Sequence, residues 1–386
     1  MRAAGSMMKT ILSVLSISGM ALFFWSSGAS AATGGESLMD RLHPSGDMRL
    51  RYERDGSRGG GKDTRHRPRA RLRFGLGIDI SEEVMAGLRL RTGNSSDANS
   101  PHQTFGNEFN SWEFSLDRAY LRYSPKWAEG AWIEGGKMAS PFKTNPVYGE
   151  LVWDADINPE GGQAGYRWSN DGLALGVATG IWVLNIDGSG DNSSTATIFP
   201  VQAYAECTCV DDLKVTTAVA FYKYGDLGGG GVRDAPTSTS HRVDPISGKY
   251  ESDFEVLDAF SSITYTGLAL PITAVGELIY NFGAERDSEA SGWAVGGSTK
   301  VPLAGKKHRV FYQFQNIKKD ALYAPNAQDD FQSRRTHMKG HIAGVDWQLT
   351  KAVKLRTWGL FETDRGDGSN GTHSKNRLRV DINVKF

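Results

Sequence analysis

The chain ends Arg377-Leu378-Arg379-Val380-Asp381-Ile382-Asn383-Val384-Lys385-Phe386, and this stretch decides the fold class. Leu378, Val380, Ile382, Val384 and Phe386 share one face of an extended chain, while Arg377, Arg379, Asp381, Asn383 and Lys385 share the other. That is the period of a strand lying between two unlike environments. A soluble sandwich would have to cover each apolar face with a second sheet. A membrane barrel needs only lipid outside and water within.

The number of such segments separates the two. Alternation recurs near 47–54, 69–80, 84–92, 113–123, 131–137, 164–169, 172–184, 199–207, 213–224, 254–265, 271–282, 291–299, 308–317, 339–349, 353–362 and 376–386, sixteen segments in all. An even count of that size, with several segments of 9–12 residues, suits tilted strands that cross the hydrocarbon layer. Short connections at 81–83, 169–171, 266–270 and 350–352 alternate with long ones at 93–112, 138–163, 225–253 and 318–338. Brief turns at one end and large loops at the other are a barrel pattern. The expected fold is therefore an all-β transmembrane antiparallel barrel of sixteen strands, with 47–54 paired to the last strand so that no edge stays open. Tyr52, Tyr123, Trp127, Trp132, Trp168 and Trp347 fall near predicted strand ends, where aromatic rings suit the headgroup boundary. Ala174, Gly176, Ala178 and Gly180 suggest a crowded sector of the lumen wall.

Composition agrees. Of 386 residues 39% are hydrophobic, with 46 Gly, 13 Tyr and 10 Trp, a mixture suited to many strands and turns. The 44 basic side chains balance the 44 acidic ones, so no global field points to nucleic acid. At the N-terminus Lys9 precedes an apolar run at 11–25, and Gly28-Ala29-Ser30-Ala31 supplies small residues for cleavage. Residues 1–31 read as a secretory signal, 32–46 as a short periplasmic segment and 47–386 as the barrel. The Cys207-Thr208-Cys209 triplet sits at the outer limit of disulfide reach in an extended chain and reads as a local turn feature.

The sequence resembles the bacterial putative porins, a family of outer-membrane general diffusion channels of Gram-negative bacteria. The resemblance rests on the leader, Gly46-Asp47-Met48-Arg49-Leu50-Arg51-Tyr52-Glu53, Arg69-Ala70-Arg71-Leu72-Arg73-Phe74, Leu116-Asp117-Arg118-Ala119-Tyr120-Leu121, Gly136-Lys137-Met138 with Pro141-Phe142, and the terminal Phe386. It implies a homotrimer of sixteen-stranded barrels passing small hydrophilic solutes, surrounded by outer-membrane lipids and lipopolysaccharide. It also implies that Phe386 is the signal read by the barrel-assembly machinery.

Period two assigns the lumen face. Arg49, Arg51, Arg69, Arg71, Arg73, Arg89, Arg91, Arg118 and Arg122, joined by Arg377 and Arg379 on the closing strand, form an arginine-rich wall. Arginine at the lipid midplane costs roughly 2–4 kcal/mol, which explains the inward orientation but not the clustering of one sign. The third outer loop, 138–163, carries Glu150, Asp154, Asp156 and Glu160 against Lys143 alone. Folded inward, it would set acids against the wall as a constriction, a position that this loop takes in the resembled porins.

Other motifs carry less. Asp187-Gly188-Ser189-Gly190-Asp191-Asn192 starts like a calcium loop but lacks the sixth-position Gly, and Ile198 stands where a bidentate acid belongs. His337 and His341 would be metal-spaced only on a helix, and Arg365-Gly366-Asp367 lies in a polar outer loop. No cofactor, metal site or enzymatic machinery is expected. A receptor or adhesion barrel, and less so a barrel hydrolase, are the alternatives to a diffusion channel.

Overall fold

The computed structural model describes residues 37–58, 64–186, 195–227, 241–330, 336–364 and 374–386. Leu38–Arg41 form a 3-10 turn. From there the chain is strand after strand: β1 (Leu42–Arg58), β2 (Arg65–Asp79), β3 (Val84–Thr92), β4 (Gln103–Thr104), β5 (Phe114–Tyr123), β6 (Ala131–Lys137), β7 (Glu160–Asn170), β8 (Leu173–Ile186) and β9 (Thr195–Val210). The second half holds β10 (Leu213–Gly225), β11 (Glu255–Tyr265), β12 (Ile272–Asn281), β13 (Ser291–Leu303), β14 (Lys306–Ile317), β15 (Met338–Gln348), β16 (Val353–Asp364) and β17 (Ser374–Lys385). β4 is a two-residue addition that pairs with Arg69 and Ala70 of β2. The other sixteen close into one antiparallel ring, with β17 paired to β1 from Asp47↔Lys385 to Arg58↔Ser374. Closure leaves no open edge, so the wall's backbone groups pair with neighbouring strands rather than facing lipid, which could not satisfy them.

All sixteen segments read from alternation are present, β3 and β6 at the expected limits. On β17 the two faces separate as the pattern requires. Arg377, Arg379 and Asp381 are buried inside, while Leu378, Val380 and Ile382 are about 40% exposed on the outer surface. β1 starts at Leu42, five residues before the expected Asp47, because Leu42–Ser45 extend the ladder to β2 alone, without an alternating pattern to mark them. Gly46 and Phe386 exchange backbone hydrogen bonds of 2.8 and 3.0 Å. The terminal ring fills the space where a Cβ at position 46 would stand.

Three readings change. Trp132 does not join an outer girdle: it faces inward, with the Arg122 guanidinium 4.6 Å from its ring centroid. Tyr52 lies mid-strand rather than at an end. Cys207 and Cys209 belong to β9 rather than to a turn, where the ladder to β10 slips between Leu213↔Val210 and Val215↔Cys207.

The interior is not uniformly polar. Trp182, Ile198, Tyr222, Tyr224 and Val256 point inward from β8–β11 and, with Phe254 just before β11, form one buried cluster with residues of the long loops. The small inward residues of β8 make room for it. Tyr204 lies over Gly176 and Trp182 beside Gly180.

Candidate functional site

The third outer loop, L3 (138–159), leaves the wall through two facing glycines. Gly136 and Gly161 pair across β6 and β7 with φ of 125° and 138°, and a Cβ on either would strike a neighbouring carbonyl. Glycine reaches that region without the penalty other residues meet. Past this base the loop crosses the lumen. Lys143 N–H donates to Gln202 Oε1 of β9 at 2.7 Å, and Asn145 Nδ2 donates to Glu277 Oε2 of β12 at 2.7 Å and Gln313 Oε1 of β14 at 3.0 Å. Arg309 Nη2 of β14 donates to the carbonyls of Pro146 and Val147 at 2.8 and 3.1 Å. The loop then returns to the opposite wall, where Asp156 Oδ1 stands 2.8 Å from Arg73 Nη1 and 3.5 Å from Arg71 Nη1. Asn158 Oδ1 accepts from Arg118 Nε at 2.6 Å.

Apolar packing holds this course. Leu151, Val152 and Trp153 are buried, and the Trp153 ring lies 4.8 Å from Trp182 and parallel to Tyr222 at 6.4 Å. One side of L3 is thus seated on the aromatic sector of the wall, leaving its acids to face the arginines. Between them lies a cavity of about 440 Å³. Its lining includes eight arginines, Arg49, Arg51, Arg71, Arg73, Arg89, Arg118, Arg309 and Arg356, and five acids, Glu150, Asp154, Asp156, Asp329 and Asp330.

The eleven arginines of the sequence reading divide by task. Arg49, Arg51, Arg71, Arg73, Arg89 and Arg118 line the cavity. Arg51 is locked to Asp381 at 2.7 and 3.0 Å, and Arg89 bonds Asp117 at 2.5 Å. A β-bulge between β3 and β5 turns both Asp117 and Arg118 inward, which strict alternation would forbid. The other five are not in that lining. Arg69 and Arg91 hold the second long loop, L2 (93–113), through Ser100 Oγ at 3.0 Å and Asp97 O at 2.7 Å. Arg377 and Arg379 grip Asp330 of the seventh loop, L7 (318–337), and Arg122 pairs with Glu134 at 3.3 Å. Arg69, Arg91, Arg377 and Arg379 are taken up by loops that fold down onto inward side chains, an event period two does not register, and Arg122 by Glu134 of the neighbouring β6.

Among the expected loop residues, Glu150, Asp154 and Asp156 line the cavity, whereas Lys143 and Glu160 do not. Lys143 reaches Glu206 at 3.3 Å on the far wall, and Glu160, the first residue of β7, pairs with Lys137 at 2.5 Å. The lining also holds Arg309, Arg356, Asp329 and Asp330, which the arginine wall and the third outer loop do not include. The two arginines sit at inward positions of β14 and β16 and share Asp346, so the alternation used for the first strands would have found them. The two aspartates belong to L7, whose inward course is set by long-range packing. Asp187–Asn192 and Arg365–Asp367 fall mostly or wholly outside the described residues. His341 Nδ1 bonds the Tyr312 hydroxyl at 2.8 Å, and among the described residues no group of three metal-ligating side chains converges.

The loop acids are unlike one another. Burial pushes Glu150 up to about 8, with the nearby Asp330, Asp156 and Asp329 carboxylates adding to it. Burial and Asp330 push Asp329 up to about 7, and burial with Glu150 raises Asp154 well above the carboxylate range. Burial would raise Asp330 too, but Arg379 and Arg51 outweigh it and hold this carboxyl below its ordinary value.

A search of curated proteins gives no match. Among solved structures the fold is similar to OprB of Pseudomonas putida, with 12% identity, TM-score 0.60, and coverage of 90% of this chain and 95% of that one. It is also similar to Vibrio cholerae OmpT lacking loop L8, with 12% identity, TM-score 0.50, and coverage of 90% of this chain and all of the other. At that identity the two likenesses speak for the barrel alone. The family model described as putative porin matches residues 59–251, half of the chain. With a closed sixteen-stranded wall around a polar lumen, the chain belongs to the putative porin family and is an outer-membrane porin.

Proposed function

We propose that the lumen is a water-filled path for passive diffusion of small hydrophilic solutes and ions, narrowed by L3 and biased by the arginines facing it. The observation that carries this reading is the charged cavity of about 440 Å³ between L3 and the wall. Charges of both signs on opposite sides of a narrow passage orient dipolar solutes and disfavour apolar ones, which would have to displace bound water for nothing in return. Two lining arginines, Arg49 and Arg118, are anchored through Nε to neutral asparagines, Asn383 and Asn158, and keep their charge available to a passing anion. The channel is therefore mildly anion-preferring, and it does no covalent chemistry.

The remaining assignments follow the same reading. Residues 1–31 direct export and are removed, the mature barrel assembles as a homotrimer among outer-membrane lipids and lipopolysaccharide, and the exposed Phe386 serves the assembly machinery. Planar-bilayer recording of the purified protein in a KCl gradient tests the function. Stepwise ion current with a reversal potential displaced toward the anion is expected; an assembled barrel that passes no current refutes it.

A further inference from the structure

L7 enters the barrel alongside L3. Its residues Ala321, Leu322, Tyr323, Ala324, Ala327 and Gln328 are buried, and Tyr323 packs at 4.9 Å from Tyr224 and 5.3 Å from Phe254. L3 and L7 exchange two backbone hydrogen bonds: Asp154 N–H donates to Asn326 O at 2.9 Å, and Gln328 N–H to Glu150 O at 3.1 Å. The segment is then gripped from the wall. Arg379 pairs with Asp330 while its Nε donates to Glu53 at 2.6 Å, and Arg377 donates to the Asp330 carbonyl while its Nε holds Asp55 at 2.8 Å. Tyr148 of L3 adds its hydroxyl to Asp330 at 2.8 Å.

The five cavity acids are not equivalent in this frame. Asp156 is matched by Arg71 and Arg73, and Asp330 by Arg379. Asp154 accepts the Asp156 amide at 2.8 Å and turns the L3 backbone. Glu150 and Asp329 line the cavity with no cation at ion-pair distance among the described residues, one from each loop. We propose that Asp329 is a second selectivity-determining carboxylate, contributed by L7 and presented to the lumen by the Arg377–Asp330–Arg379 clamp, so that two loops rather than one make the constriction. The proposal rests on the diffusion-channel reading. Asp330 is spent on the clamp, and that is what leaves its neighbour free to face permeating ions. Arg377 and Arg379 are positioning residues.

The test is reversal potential and unitary conductance of D329N and D329E in planar bilayers, with barrel assembly checked by heat-dependent mobility in SDS. At about pH 8.5 Asp329 is ionised. Across several ångströms of water, one unit charge changes local ion occupancy by about two- to threefold. D329N should raise the anion-to-cation permeability ratio by that factor with unitary conductance little changed, and D329E should keep the parent value. An unchanged ratio in assembled D329N channels overturns the proposal, and so does a rise in conductance without a change in ratio, which would mean a loosened loop. Should D329N not assemble, D329S is read the same way. Absence of current through the parent protein instead refutes the channel reading itself.

Discussion

Replacing Arg49 and Arg91 separately by Gln should split two arginines that the sequence pattern treats alike. Arg49 lines the cavity and is anchored only by Nε to Asn383 Oδ1 at 2.6 Å, so its terminal nitrogens keep their charge available. Arg91 is 5% exposed, points Nη2 at the Asp97 carbonyl at 2.7 Å and lies outside the cavity lining. An anion about 5 Å from a guanidinium in water gains about 0.8 kcal/mol, or roughly a fourfold gain in occupancy. R49Q should therefore lower the anion-to-cation permeability ratio by about two- to threefold in a gradient near 0.1 M KCl, where a Debye length of about 10 Å already weakens the attraction. The difference should nearly vanish at 1 M, where screening acts over about 3 Å. R91Q should leave the ratio near the parent value. Equal shifts for both variants would mean that the loops clamped by Arg91 do not shield it from the current. No shift for R49Q would place the ion path elsewhere.

Trp153→Ala should cost about 3–5 kcal/mol locally and unseat L3 from Trp182 and Tyr222, giving larger and noisier unitary conductance with the barrel still heat-modifiable in SDS. Gly161→Val should impair assembly itself, since φ of 138° and the Ile181 carbonyl leave a branched side chain no room, and unboiled protein should lose its distinct SDS mobility. Acidification from about pH 9 to pH 6 should raise anion preference, because Glu150 and Asp329, pushed up to about 8 and 7, each lose a negative charge on protonation. A reversal potential flat across the range would remove both acids from the ion path.

The charge arrangement is sparser than the sequence suggests. Of the eight arginines on the cavity, Arg51, Arg71, Arg73, Arg89, Arg309 and Arg356 have carboxylate partners, which leaves Arg49 and Arg118 without one among the described residues. Facing them, Glu150, Asp154 and Asp329 have no cation at ion-pair distance among the described residues, and Asp154 is engaged by backbone amides and Asn99. On the proposed channel reading these few groups would carry the transverse field, while the paired ones stiffen the wall and hold the loops. A buried pair contributes more to geometry than to the field because its charges cancel at short range.

The β17 alternation, repeated through sixteen segments, was sufficient to determine the barrel, its closure and the inward sense of Arg49, Arg71 and Arg73, because period two follows from covalent geometry and survives any tertiary context. The same pattern could have yielded Arg309 and Arg356 had it been applied evenly along the chain. It could not yield the position of Asp117 beside Arg118, which depends on a one-residue slip against β3, nor the overhang of Leu42–Ser45 on β2. Least legible were the loops. Whether Asp329 reaches the lumen depends on Tyr323 packing against Tyr224, on Arg379 meeting Asp330 and on backbone bonds to L3, contacts between groups tens to hundreds of residues apart. A strand announces its two faces through its own side chains, but a loop takes its course from whatever surface it lands on, and only the closed barrel brings those surfaces together.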